Sequence, residues 1–465
     1  MKKVGSLVLA VCLLLGCFGC QNQQDALYSA AKEDGPSSSL AKLASPPPSP
    51  EEEELTGELT IRHVAGGDNL QYFAKLFQQL HPGVEVTMVP TYSSQTEWSQ
   101  SPDTHVPQLS TELMGGEAYD VVDVSMLETY RFAKSGLFED LLPWMESDPA
   151  IDQEDFYGNI LEALKTDGKL YGLTWGVNYQ ALCVNGFMAA ELGVDVRDRF
   201  PEGADYQEIV DLFVEMQEAG IATEETGFAY HQSPCFFDEF EFASYFDLAQ
   251  GVCTFDSAPF ADYLAAVDAL PWDREVRGGL DYSQGTYVFK AADYFCFRQM
   301  VAMSNLPHVD GRYAETGSTP SILLHSTSGD YPFGVSSLLA IPAASENKEL
   351  AWEFLKFVVN TQEFPEKVTP YYDPQVGMQR SNLYLSCIPL NRENFFRLGE
   401  SLGWGERLLE QFDRYNQKLN ARNPITYELN AALEQVRENY HTSHLITAEE
   451  CAQQMQERAE IYLKE

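Results

Sequence analysis

The sequence predicts an α/β fold, and three stretches carry that prediction. In the first, Leu59-Thr60-Ile61-Arg62-His63-Val64 alternates as a half-buried strand does, and Ala65-Gly66-Gly67-Asp68 ends it. Leu70, Phe73, Ala74, Phe77 and Leu80 then recur at helical spacing. His81-Pro82-Gly83 stops that helix, and Val84-Glu85-Val86-Thr87-Met88-Val89 resumes as a strand. Strand, helix and strand in that order form a β–α–β unit, which requires a parallel sheet and a right-handed crossover. In the second, "YDVVDVSMLETYRFAKSGLFEDL" repeats the pattern, with a strand over Asp120 to Val124, a turn, and a helix toward Gly136. In the third, "SILLHSTSGDYPFGVSSLLAIPAASENKELAWEFLKFVVN" gives short apolar runs and then an amphipathic helix. Leu350, Ala351, Phe354, Leu355 and Val358 form its apolar face, and Ser345 ahead of Lys348 and Glu349 marks its start. No repeat of solenoid length is visible.

A chain of 465 residues with 44% hydrophobic content is too long for one small core and predicts two or three lobes. Its 70 acidic against 30 basic side chains give a formal charge of −40. Such a surface repels phosphate backbones, so nucleic acid is excluded as a partner, and it favours a neutral or cationic ligand. Beyond the first twenty residues the cysteines are Cys183, Cys235, Cys253, Cys296, Cys387 and Cys451. They are scattered, with no C-x-x-C spacing that would point to a metal or a redox couple. A Cys235–Cys253 disulfide and buried thiols are both open readings.

The N-terminal stretch reads as a targeting segment. Met1-Lys2-Lys3 is a positive n-region, and Val4 to Leu15 is an apolar run of about a dozen residues, short of the roughly 20 that span a bilayer. Leu14-Leu15-Gly16-Cys17 resembles the bacterial lipobox, which implies cleavage after residue 16 and lipidation of Cys17. Cys20 offers a second version with Cys17 in the place of an aliphatic residue, and a plain secretory signal is the remaining alternative. Two acyl chains anchor a protein stably where one does not. The expectation is a chain on the outer face of the cell membrane. Residues 17–56 are dominated by Ser, Pro, Ala and Glu, too polar to offset the entropy of ordering, and "SPPPSPEEEE" favours extended backbone. They read as a tether.

Seven blocks taken in order resemble extracellular solute-binding proteins of ABC importers, in the branch that includes maltose-binding proteins. They are "FAKLFQQLHPGVEV"; "YDVVDV" with "AKSGLFEDL"; "DGKLYGLTWGVNYQALCVN", with Thr174 where proline is usual; "GVCTFDSAPFADYLAAVDAL"; "FRQMVAMSN"; "ASENKELAWEFLKFV"; and "ITAEECAQQMQERAEIYLKE", similar to the closing helix of Gram-positive members. The resemblance implies a two-lobed periplasmic-binding-protein-like fold of type II, with hinge strands and a ligand cleft between the lobes. It places chain crossings near Tyr179–Leu182, Val301–Asn305 and Ser345–Lys348. Lobe one is then 57–180 and 304–346, and lobe two is 181–303 and 347–465. The implied partners are a small solute, sugar or oligosaccharide, and the subunits of an ABC permease. The chain has no ATP-binding loop of its own. A monomer without metal or cofactor is expected.

Ligands of open α/β sheets sit outside the C-terminal ends of the strands. That rule selects Gly66, Gly67, Asp68 and Asn69 after the first strand, Tyr92 and Ser93 after the second, and Ser125 and Met126 after "DVVDV". The resemblance adds Trp175 and Asn178 at the first crossing, Asn305 at the second, and Tyr331 and Phe333 where the chain re-enters lobe one. Sugars call for flat rings against their C–H faces and for carboxylates and amides that pair with hydroxyls. Trp175, Asp68, Asn178 and Asn305 suit that chemistry, although Trp175 equally suits a core position and Asp68 a helix cap. Tyr230, Trp272, Tyr371 and Tyr372 are candidates from lobe two. Val124 and Ser125 stand where the family's sugar-stacking aromatic follows its "DVV" strand, so maltose-like specificity is not implied.

Two other classes compete with the receptor. Some thiaminases resemble this fold and use a cysteine nucleophile, which brings in Cys183 near the first crossing. Alternation along Ala181, Cys183 and Asn185 gives Cys183 the reading of a small buried hydrophobe instead. His441 and His444 have a spacing that one helical face could present to a metal, but "HTSH" leads into Thr447, which looks like a helix cap, so a turn fits better. The expectation is a tethered solute receptor and not an enzyme.

Overall fold

The computed structural model describes residues 54–464 except 66–68, 101–103, 185–188, 190, 223–235, 271, 273–288, 293–320, 361–370, 374–377, 381–386 and 402–405. Cys17, the tether up to residue 53, Gly67, Asp68, Tyr230, Asn305 and the crossing expected at 301–305 therefore lie outside the described residues, while Thr56, expected in the tether, already opens the first strand. In chain order the strands are β1 (Thr56–Ala65), β2 (Gly83–Tyr92), β3 (Val121–Asp123), β4 (Gly176–Tyr179), β5 (Ala181–Val184), β6 (Phe289–Ala292), β7 (Ser321–Leu323), β8 (Pro332–Val335), β9 (Leu339–Ala340), β10 (Ile388–Pro389) and β11 (Ala421–Arg422), with two short hairpins besides. The helices that matter below are α1 (Asn69–Leu80), α2 (His105–Gly115), α3 (Thr129–Lys134), α4 (Tyr206–Glu218), α5 (Ala258–Asp268), α6 (Lys348–Asn360), α7 (Arg392–Ser401), α8 (Glu406–Asn416), α9 (Tyr427–Arg437) and α10 (Ala448–Lys464).

The first β–α–β unit forms as its alternation predicts. β1 and β2 pair in parallel from Thr56↔Gly83 to Ala65↔Tyr92, β3 pairs in parallel with β1, and β9 closes the sheet antiparallel to β3. Because side chains alternate across a strand, this sheet has apolar residues on both faces. Leu59, Ile61, Val121 and Leu339 turn to one cluster, which α1 covers with Leu70, Phe73 and Phe77. Val122, Val124 and Ala340 turn to the other, which α2 covers with Val106, Leu109 and Leu113. Arg62 lies fully buried in the sheet, and Glu112 of α2 takes its Nε–H at 2.7 Å. The one apolar position of α1 that sequence spacing misplaces is Leu80, which is 54% exposed because the helix ends there.

A second sheet, in the order β10–β4–β8–β11, continues the first cluster, and a third, in the order β6–β5–β7, opens another. Gly176 lets β10 lie close to β4, since a Cβ there would come within 2.4 Å of Cys387 Sγ and 2.6 Å of Ile388 O. The cluster above the third sheet gathers Ile209, Leu212 and Phe213 of α4, Phe260 and Leu264 of α5, Leu429 and Leu433 of α9, and Met455 of α10. The described residues thus form two principal cores, and among them the chain passes between these cores three times. The first passage is at Gln180, between β4 and β5. The second runs from Leu324 to Tyr331, between β7 and β8, and the third follows β11 into α9.

These passages differ from the expected division of the chain. The resemblance places α6 in the second lobe, yet Leu350, Phe354, Leu355 and Val358 belong to the first cluster, with the Phe354 ring 5.3 Å from that of Phe77. Its polar side agrees, since Lys348 binds Glu139 at 2.7 Å, and Lys356 and Trp352 both bind Asp148. α7 and α8 follow it into the first cluster through Phe395, Leu398, Leu409 and Phe412. Helical periodicity identifies an apolar face and carries no information on which sheet covers it. Removing a buried ring leaves a cavity, so Phe354→Ala is expected to cost about 3–5 kcal/mol. Leu80→Ala is expected to change stability by less than about 0.5 kcal/mol. Urea unfolding midpoints of the two variants check both values.

Candidate functional site

The sequence-selected residues divide by burial. Tyr92 is buried, and its hydroxyl accepts the backbone N–H groups of Thr104 at 3.2 Å and His105 at 3.0 Å, so it fixes the start of α2. Trp175 is 3% exposed, packs on Phe73 with 5.3 Å between ring centroids, and belongs to the first core. Phe333 is buried beside it, its strand pairing Phe333 with Tyr179. These three present no face to a solute in this conformation.

Asn69, Ser125, Asn178 and Tyr331 remain half-buried. Val177 and Tyr179 point into the first core, so alternation turns Asn178 to the opposite face of β4. Gly334 stands across from it in register, and a Cβ at 334 would lie 2.4 Å from Asn178 Oδ1, so the glycine makes room for that amide. Ser125 follows the end of β3, where its N–H donates to Asp123 Oδ1 at 2.9 Å. Asp123 is enclosed by the sheet, and burial pushes its carboxyl above the usual range. Tyr331 donates its hydroxyl to Glu202 O at 3.0 Å, which links the re-entry point of lobe one to lobe two. Ser93 is exposed and binds Glu97, and Trp272 is buried against Phe237.

The passages between the cores carry polar residues that sequence reasoning missed. In the second, Thr327 N donates to Glu241 Oε2 at 3.0 Å and its hydroxyl donates to Oε1. Ser328 N donates to Ser244 Oγ at 3.0 Å, and Ser326 and Asp330 close the loop on themselves. Glu241 is fully buried, and that burial pushes its carboxyl up to about 7 against the Thr327 donors that oppose it. In the third passage Arg422 donates to Thr129 Oγ1 at 2.6 Å and to Ser125 O at 3.4 Å. Hydropathy gives no hint of either residue, because a buried acid in "CFFDEFEF" and a lone Arg in "NARNPIT" look like ordinary surface charges.

Residues 63–363 match the family described as bacterial extracellular solute-binding protein. This chain belongs to that family. Three solved structures share its fold at low identity. The sugar-binding protein MalE from Xanthomonas citri aligns with a TM-score of 0.59 at 15% identity, over 88% of this chain and 98% of that one. The ABC substrate-binding protein Lmo0181 from Listeria monocytogenes, in complex with cycloalternan, aligns at 0.56 and 14%, over 88% and 99%. The GacH receptor of Streptomyces glaucescens, described unliganded and with acarbose, aligns at 0.53 and 18%, over 89% and 100%.

The competing constellations look different in the structure. Cys183 sits on β5, the middle strand of its sheet, paired with Lys290 on one side and Ser321 on the other. Cys253 is a free thiol. His441 lies 3.2 Å from Asp268 Oδ1, whereas His444 has a φ of 47°, so the helix has ended between them and the two share no face. Thr447 caps α10 as expected, accepting from Glu450 N at 3.2 Å while Glu450 accepts from Thr447 N at 2.9 Å. Among the described residues no group of three or more His, Cys, Asp or Glu could hold a metal, and no helix is long and apolar enough to cross a membrane.

Glu241 supplies a pH signature for the second passage. A carboxyl whose pKa is higher in the folded chain than in the unfolded one adds stability below the unfolded value, about 4.5, which is lost as pH rises through about 7. Glu241→Gln is expected to flatten the fall in melting temperature between pH 4.5 and 7. Thermal melts of both proteins across that window measure it, and parallel profiles count against the assignment.

Proposed function

We propose that this chain is a membrane-tethered receptor that captures a sugar or oligosaccharide between its lobes and hands it to an ABC permease. The observation that carries the reading is the hinge face itself. Half-exposed amide and hydroxyl groups, Asn178, Ser125, Asn69 and Tyr331, stand at the strand ends and passages of a fold shared with carbohydrate receptors. Amides that donate and accept at once suit sugar hydroxyls. Gly67, Asp68 and Asn305 complete the proposed contact set, with capture closing the lobes about the passages. The receptor acts as a monomer and performs no chemistry on its solute. Lipidated Cys17 holds it on the outer face of the membrane, and residues 17–56 give it reach.

A thermal-shift and calorimetric screen of the full-length chain against sugars, peptides, polyamines and thiamine tests the reading. A ligand present at a hundred times its Kd adds about 2.7 kcal/mol of stability. Asn178→Ala is expected to weaken binding of the stabilising sugar by about 1–2 kcal/mol, near tenfold, with the unliganded melting temperature unchanged. Stabilisation by thiamine with silence from every sugar would overturn the receptor and return attention to Cys183. Cys17→Ser is expected to move the protein from the membrane fraction to the medium, and retention at the membrane would sink the anchor.

A further inference from the structure

Among the described residues Arg422 is a half-buried cation with no carboxylate bonded to it. The two buried arginines of the described structure each have a carboxylate, Glu112 at 2.7 Å from Arg62 and Asp238 at 3.1 Å from Arg437. Arg422, among the described residues, touches the Thr129 hydroxyl and the Ser125 carbonyl. The nearest carboxylate that acts on it, Glu128, is committed elsewhere. Glu128 lies 3.1 Å from Arg131 and accepts the Arg131 backbone N–H at the start of α3. Tyr462 is the other titratable group facing Arg422, and its hydroxyl is shared with Thr426. Glu128, Arg131 and Arg422 together carry one net positive charge, in a chain whose formal charge is −40.

The side chain is half-buried, and desolvation pulls the Arg422 pKa below the ordinary arginine value. An arginine has five N–H donors and these two contacts use two of them, so among the described residues the guanidinium keeps donors for a ligand. The location is specific too. Arg422 ends β11 on the third passage and reaches Ser125 at the end of β3, where strand ends of an α/β sheet receive ligands.

We propose that the captured sugar is acidic and that its carboxylate docks on the guanidinium of Arg422. A planar carboxylate matches the arginine fork through two parallel N–H···O bonds. The Ser125 and Asn178 positions are left to bind hydroxyls. This inference rests on the carbohydrate-receptor reading and narrows it to uronic-acid sugars. It also reverses what net charge alone suggests, because one local cation decides the site against an acidic background.

The test titrates the full-length chain with galacturonate and glucuronate oligomers of two to four units, and with their neutral galactose and glucose counterparts. Wild type is expected to bind an acidic oligomer and to ignore its neutral counterpart. Arg422→Gln is expected to lose on the order of a hundredfold or more in affinity for it, from the loss of two charge-assisted hydrogen bonds. Arg422→Lys keeps the charge without the fork, so an intermediate loss is expected, and it serves if the Gln variant fails to fold. Binding of neutral sugars with Arg422→Gln within twofold of wild type would overturn the acidic ligand and leave the receptor standing. A variant that only melts earlier, with its preference between acidic and neutral sugars unchanged, would make Arg422 a fastening between the lobes. If neither class of sugar binds, the receptor reading fails and this inference falls with it.

Discussion

The fold depends on a two-stranded ribbon that runs through both lobes. β4 and β8 pair antiparallel on the first-lobe side, and their continuations β5 and β7 pair antiparallel on the other. Two of the three passages between the cores are thus continuous with hydrogen-bonded strands at both ends. At its middle the second passage leaves the ladder after Leu324 N–H donates to Gln180 O at 3.3 Å, and the residues from Leu324 to Tyr331 are where the ribbon is free to twist. Each lobe has its own apolar cluster, so flexing exposes no core.

Polar groups set how the ribbon is held. Thr327 fastens the second passage to Glu241 of lobe two, while Arg422 at the start of the third donates to Ser125 O and Thr129 Oγ1. Tyr130 donates to Ala249 O at 3.0 Å and Arg131 donates to Tyr462 O, both reaching from lobe one to lobe two. These bonds are partly exposed, whereas the cores they join are buried and apolar. Relative motion of the lobes therefore costs far less than unfolding either of them.

Much of this was legible in the residues. Alternation and helical spacing located β1, α1, β2, β3 and α6, and the reciprocal Thr447–Glu450 cap was visible in the letters. Periodicity records which face is apolar, so it could not tell that α6 covers the first sheet or that two passages come later than expected. Of the candidate site, strand-end rules pointed to Ser125 and family resemblance to Asn178 and Tyr331, which the structure leaves half-buried, but neither could tell that Trp175 and Tyr92 lie in the core. Arg422 and Glu241 were hidden for a different reason, since their character comes from partners far away in sequence.

The order in which the lobes are completed follows from the late third passage. All strands of the first two sheets have left the ribosome once β11 has been made, and with them the whole first core up to Leu419. The second core still lacks Leu429, Leu433 and Val436 of α9, and Cys451, Met455, Ala459 and Tyr462 of α10. Its central residues, from Leu182 onward, emerge much earlier and wait with an uncovered apolar surface. During synthesis and export the second lobe is thus the part that needs shielding longest, and loss of the last two helices leaves a receptor with one finished half.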